Sequence, residues 1–176
     1  HHIPVGIDAF ATLHTSGESS CPARVTPFLK EPFASRFVQL LQEHAATIQA
    51  SFSGHVPQDS YRVVMDAGVA VGVEKIAPSV SPVFGNNPGF HVFTYDRQTG
   101  DLKDFSTWYL ANLERASTTA PGDWRREYVF TEAYGQQTYS TAAVEQISER
   151  LLLAGPGGER IRGTFRQIYP VSHGEI

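Results

Sequence analysis

Two histidines stand where imidazole chemistry can be built. His2 opens the run His2-Ile3-Pro4-Val5-Gly6, a loop spaced by Pro and Gly, and His55 closes Phe52-Ser53-Gly54-His55, where a short apolar stretch ends at a glycine. Imidazole nitrogen suits zinc, manganese or iron, and a loop at a strand end can aim such rings at a shared ion. Plainer readings stay open. A histidine at a strand end is commonly a hydrogen-bonded structural group, and an affinity tag would leave the same His1-His2 pair. Asp8 and Asp59 follow the two histidines within a few residues. Each can orient an imidazole through its second nitrogen or bind a substrate group, and each can equally stabilise a turn.

His44 falls on an apolar helical face and reads as a partly buried core residue rather than a ligand. His14, His91 and His173 have no constellation around them. There is no Gly-x-Ser-x-Gly, no phosphate-cradling Gly-x-x-x-x-Gly-Lys and no His-Glu-x-x-His, so serine-hydrolase, nucleotide-binding and zincin readings have no support.

The elements that must position these residues follow from periodicity. Phe33, Phe37, Leu40, Leu41, His44 and Ile48 recur at intervals of three and four and predict a helix. A loop is expected before it, to about Pro27. A short strand should then end near Gly54 and deliver His55. Further strands are expected at 61–65, at 69–76, at 89–96 with alternating Phe90, Val92 and Thr94, and from Leu102 onward. Ser117 to Asp123, rich in Thr, Ala, Pro and Gly, breaks the pattern. Beyond it Ser140 can cap a helix bearing Val144, Ile147, Leu151 and Leu152, stopped at Gly155-Pro156-Gly157-Gly158, and Ile161, Phe165, Ile168 and Tyr169 suit a final helix.

At 176 residues the chain fits one domain, or one with a small appendage. Hydrophobic residues at 41%, with eleven Phe and seven Tyr, describe a folded protein rather than a disordered one. A net charge of −4 with scattered Arg and Lys offers no basic stripe, which argues against a nucleic-acid partner. No apolar run of about eighteen residues predicts a transmembrane segment. The chain starts at His1 without a Met or a signal-like region, so His1 does not read as a natural start. The single cysteine, Cys21, cannot form an internal disulfide and reads as a free thiol or as the partner of a cysteine elsewhere. Composition leaves the localisation open.

Taken in order, His2-Ile3-Pro4-Val5-Gly6, Phe52-Ser53-Gly54-His55, Ala77-Pro78-Ser79-Val80-Ser81-Pro82 and Gly85-Asn86-Asn87-Pro88-Gly89-Phe90 resemble successive landmarks of the acid-sphingomyelinase-like phosphodiesterases, within the calcineurin-like metallophosphoesterases. Thr107-Trp108-Tyr109-Leu110, Trp124-Arg125-Arg126-Glu127-Tyr128 and Glu132-Ala133-Tyr134-Gly135 continue the series. The resemblance implies an α+β fold. Residues 1–116 would be the second half of a helix-flanked two-sheet metallophosphoesterase sandwich, and residues 124–176 a small helical C-terminal subdomain. It implies hydrolysis of a phosphoester, a phospholipid among the candidate substrates, by a parent protein exported from the cytoplasm. An amino-terminal half of the same domain would be the structural partner.

In that family a His-Ile-Pro-Pro-Gly loop and a Gly-His-x-His loop give ligands to a pair of divalent ions, usually zinc. The resemblance makes His2 and His55 ligands of one ion, and it argues that His2 is native. Asp59 matches an Asp the family often carries after the second loop, in a substrate or supporting role. Pro57 departs from the pattern, since it stands where the family has its second loop histidine and offers no donor. The family's Asp-x-His, bridging Asp and Gly-Asn-His motifs do not occur here, so at most one partial ion site is expected from this chain alone. A degenerate, non-catalytic member of the family is the rival reading.

Overall fold

The computed structural model describes residues 1–16, 25–116 and 120–171. Cys21 and His173 lie outside the described residues. After an extended opening, Asp8 starts helix α1, Ala9–Ser16, by accepting the Ala11 N–H on its carboxylate at 2.9 Å, the arrangement that makes Asp a favoured N-cap. The loop expected here therefore contains a helix. Its large apolar side chains Phe10 and Leu13 are exposed, so no buried stripe marks it in the sequence.

Helix α2, Phe33–Glu43, lays Phe37, Val38 and Leu41 against Val5, Val64 and Val71. It stops earlier than its periodicity predicts: His44 caps it, exposed rather than partly buried, and Ile48 lies beyond it. Next come β1, Ser51–Ser53, β2, Ser60–Asp66, and β3, Val69–Ile76. They form a sheet of order β1-β3-β2, with β1 parallel and β2 antiparallel to β3. Strand alternation divides the side chains between two cores. On β2, Tyr61 and Val63 face the main core while Val64 faces α2. On β3, Lys75 and Glu74 point to opposite sides of the sheet, toward Asp59 and Val5 respectively.

The second sheet runs β4, Gly89–Tyr95, β5, Leu102–Leu110, and β6, Trp124–Val129, in that order and antiparallel throughout. Alternation on β4 is as expected, but Phe90 and Val92 form the exposed side, and His91 and Phe93 turn inward. The tail expected to be helical opens instead with β6. Helices follow as α3, Phe130–Tyr134, α4, Thr141–Leu152, and α5, Pro156–Ile168. Ser140 caps α4 by accepting the Ala143 N–H at 3.2 Å. Helix α5 starts inside the expected stop, because Pro156 at its beginning has no N–H to lose and its fixed φ already suits a helix.

The result is an α+β fold with two small sheets. Phe105, Phe130, Tyr134, Tyr139, Val144, Ile147, Ile161 and Ile168 make its main core. Among the described residues no helix is long and apolar enough to cross a membrane.

The two-residue turn of the β2–β3 hairpin puts Ala67 at φ +47° and Gly68 at φ +85°, the left-handed pair of a type I′ turn. Glycine adopts this freely, whereas a Cβ there is strained by about 1–2 kcal/mol. Ala67→Gly should therefore raise the unfolding free energy by about 0.5–1 kcal/mol, after the added freedom of the unfolded chain is deducted. Urea denaturation would show it as a higher midpoint at unchanged slope; a lower midpoint would contradict the strain.

Candidate metal centre and its buried support

The opening loop lies beside the end of β1. Gly54 N–H donates to His2 O at 3.0 Å, and the His1 backbone nitrogen donates to Phe52 O at 3.1 Å. The His2 ring packs on Gly54, where an added Cβ would stand 3.5 Å from Nδ1. His55 itself sits at φ +63°. A side chain held in that left-handed region is strained, and such residues cluster at functional sites.

This geometry brings the two histidines together. His55 Nδ1 lies 3.3 Å from His2 Nε2, the rings meet edge to face with centroids 5.1 Å apart, and both residues are exposed. With one N–H between them the contact is a hydrogen bond. With two lone pairs facing outward it has the span of a chelate, since zinc–nitrogen bonds of about 2.0–2.1 Å at tetrahedral angles separate two ligand atoms by about 3.3–3.4 Å. The donor set thus fits a divalent ion. Among the described residues no group of three or more His, Cys, Asp or Glu side chains gathers to hold one. Pro57 adds no donor, and its carbonyl instead accepts the Ser79 N–H at 2.9 Å.

The two candidate carboxylates lie elsewhere. Asp8 caps α1. Asp59 is buried, 3% exposed, and does orient an imidazole, but that of His91: its Oδ2 accepts from His91 Nε2 at 2.9 Å, Thr107 Oγ1 at 2.9 Å and Tyr128 OH at 2.8 Å. Its Oδ1 pairs closely with Lys75 Nζ, which also donates to Ser60 O at 3.1 Å and lies 5.0 Å from the centre of the Phe105 ring. His91, read from sequence as a histidine without a constellation, has one after all. Its place between Gly89 and Phe93 on the inward side of β4 was the available signal. Lys75 gave the other, as a cation in a strand whose one acid, Glu74, alternation sends to the opposite side of the sheet.

Electrostatics follow from this packing. Burial works against a charged Asp59, but Lys75 and His91, with their hydrogen bonds, hold its carboxyl well below the usual carboxylate range. Burial lowers His91, Lys75's charge adds to that, and Asp59 only partly offsets them. Burial and the Asp59 charge raise Tyr128 well above the ordinary phenol value, so its hydroxyl keeps the proton it donates. Burial, reinforced by Asp59, pushes Glu127 up to about 8.

Over residues 67–157 the chain matches the family described as the acid sphingomyelin phosphodiesterase C-terminal region. It is 34% identical over 134 residues to acid sphingomyelinase-like phosphodiesterase 3b of Homo sapiens, covering 70% of this chain and 29% of that protein. It is 29% identical over 157 residues to the cyclic GMP-AMP phosphodiesterase SMPDL3A of Rattus norvegicus, covering 85% of this chain and 32% of that protein. Sphingomyelinase phosphodiesterase D of Dictyostelium discoideum is 30% identical over 114 residues, 60% of this chain and 25% of its own length. The matched stretches thus amount to about a third or less of these relatives.

Removing the Asp59 charge should strand Lys75 in the core. Asp59→Asn is expected to cost about 3–5 kcal/mol, the usual effect of breaking a buried pair from one side; a loss below 1 kcal/mol in urea unfolding would show that the pair is not closed in solution. Two groups pull the pH response in opposite directions. As pH falls through about 6.5, the unfolded chain takes a proton at His91 that the folded chain resists, so the His91 contribution to stability drops. Glu127, raised to about 8, is protonated first in the folded chain, so its contribution rises as pH falls from about 8 toward the ordinary carboxyl range. Below about 3.9 the unfolded Asp59 protonates while the folded one stays ionised, and a further loss accumulates as pH falls toward the folded value. His91→Gln should remove the His91 loss, so that stability rises more as pH falls from about 8 to about 5 than in the unsubstituted protein. It should also shrink the loss below about 3.9, because His91 is one of the groups that hold Asp59 ionised; urea midpoints between about pH 8 and pH 3 would read both.

Proposed function

The chain belongs to the family of acid sphingomyelin phosphodiesterase C-terminal regions, and we propose that it supplies one imidazole pair, His2 and His55, to a divalent-cation site of a phosphoester hydrolase. One observation carries the reading: two exposed imidazole nitrogens 3.3 Å apart, brought together from positions 53 residues apart in sequence. A zinc-like ion bound there would acidify a coordinated water and polarise a phosphoryl oxygen. The chain's own residues would do the positioning. Gly54 and the strained His55 backbone point one ring at the other, and Asp59 secures the far end of the loop that follows. Its backbone N–H donates to Tyr169 O at 3.1 Å while its side chain joins the second sheet.

Phosphodiester hydrolysis is what the names of the relatives describe, and it extends to this chain as part of a longer polypeptide with the remaining ligands. A sphingomyelin-like lipid and a nucleotide are both substrates those names support. The rival reading, a family member retaining one ion and no hydrolysis, rests on Pro57, which removes a nitrogen from the second loop.

Zinc titration of this chain, followed by a competing chromophoric indicator, should show one ion per chain, and His2→Ala or His55→Ala should each weaken binding by about tenfold or more. Binding that survives both substitutions would sink the pairing. In the full-length polypeptide, two bound ions with turnover of bis(p-nitrophenyl) phosphate would support the hydrolase; one ion without turnover would favour the rival.

A further inference from the structure

His2 is a side chain on an exposed loop, and something must hold that loop for its ring to meet His55. Two residues flanking it, His1 and Val5, converge on one acid. Glu74, in β3, is fully buried at 0% exposure. Its Oε2 accepts the Val5 N–H at 3.0 Å, and its Oε1 lies 3.3 Å from His1 Nε2. Oε1 is buried without a hydrogen bond; the His1 imidazole stands beside it, and the Ser53 hydroxyl, at the end of β1, is another group that favours the charged acid. His1 is further held by Ser51 Oγ at 2.9 Å from Nε2, by Ile3 O at 2.9 Å from Nδ1, and by the Phe37 ring at 4.9 Å between centroids.

Position in the sheet makes this a clamp between the two halves of the pair. Glu74 is the register partner of Ser51 in the parallel β1–β3 pairing, and β1 is the strand that carries the chain to His55. Pro4, between the two clamped residues, is fully buried. A carboxylate buried in a sheet is costly unless its oxygens are used, and here both face the loop that bears His2.

We propose that Glu74 is a positioning residue for the cation site: through Val5 and His1 it fixes the loop that carries His2 and thereby sets the His2–His55 nitrogen separation. This rests on the reading of His2 and His55 as a ligand pair, and it adds a residue that touches neither cation nor substrate.

Two readouts on this chain test it: zinc affinity, by indicator competition, and the ring contact, by proton–proton cross-relaxation between the His2 and His55 imidazoles without metal. Glu74→Leu removes both acceptors. It should weaken zinc by about tenfold or more, as loss of a ligand's support does, and abolish the ring contact while circular dichroism stays native. Glu74→Gln keeps an oxygen for the Val5 N–H and should restore most of both signals. Should Glu74→Leu fail to fold, His1→Ala and Glu74→Gln replace it; His1 is exposed, and its loss should give an intermediate drop. A folded Glu74→Leu with wild-type affinity and ring contact overturns the proposal, as does His1→Ala with neither changed. If the wild-type chain binds no zinc, the cation reading fails on its own. The metal-free ring contact then decides Glu74's role, sustaining it if lost in Glu74→Leu and rejecting it if retained.

Discussion

The Asp59 carboxylate is the fixed point of this structure. It lies just before β2 in the first sheet, yet three of its four side-chain partners, His91, Thr107 and Tyr128, belong to β4, β5 and β6 of the second. Lys75, the fourth, belongs to the first. A single acid therefore ties every strand of one sheet to the other, in a place where apolar packing alone would let the layers slide. Burial of so much charge is tolerable because the carboxylate meets a cation at Oδ1 and three donors at Oδ2. The surrounding aromatic core of Phe105, Tyr128, Phe130 and Tyr139 closes over the group and keeps water from competing for it.

This arrangement explains what could be read in the sequence and what could not. Strand β3 and the Ser140 cap of α4 were legible because local chemistry decides them: a β-branched run with alternation, and a serine ahead of an amphipathic stretch. Strand β6 was not. Trp124-Arg125-Arg126-Glu127 carries three charges in a row after an exposed aromatic, and its identity as a strand comes from pairing with β5, which no local window contains. Helix α1 escaped for a similar reason, since its apolar residues are on the outside. Alternation marked Phe90, Val92 and Thr94 as one side of β4 without saying which side is inward, and a buried carboxylate decides it in favour of His91.

The candidate centre shows the same division. Imidazole chemistry singled out His2 and His55 but left each equally readable as a structural group, and it was their place among family landmarks that joined them. The structure adds the distance between them, the left-handed backbone at His55 and the acid behind the loop. None of these could be deduced from spacing, because each depends on the parallel pairing of β1 with β3. Pro57 was visible from the start as a missing donor. Its structural use became visible only with the fold, as an acceptor that anchors the segment leading to Ser79.

That parallel pairing also orders events in time. The β2–β3 hairpin closes over a two-residue turn, so its contacts are local and quick to form. The His2–His55 contact spans most of the first third of the chain and needs β1 seated against a finished β3. The contact between the two histidines should thus form late in folding, after the hairpin. A cation held there would bind the native state in preference to any earlier one, and would act as a latch on the completed fold.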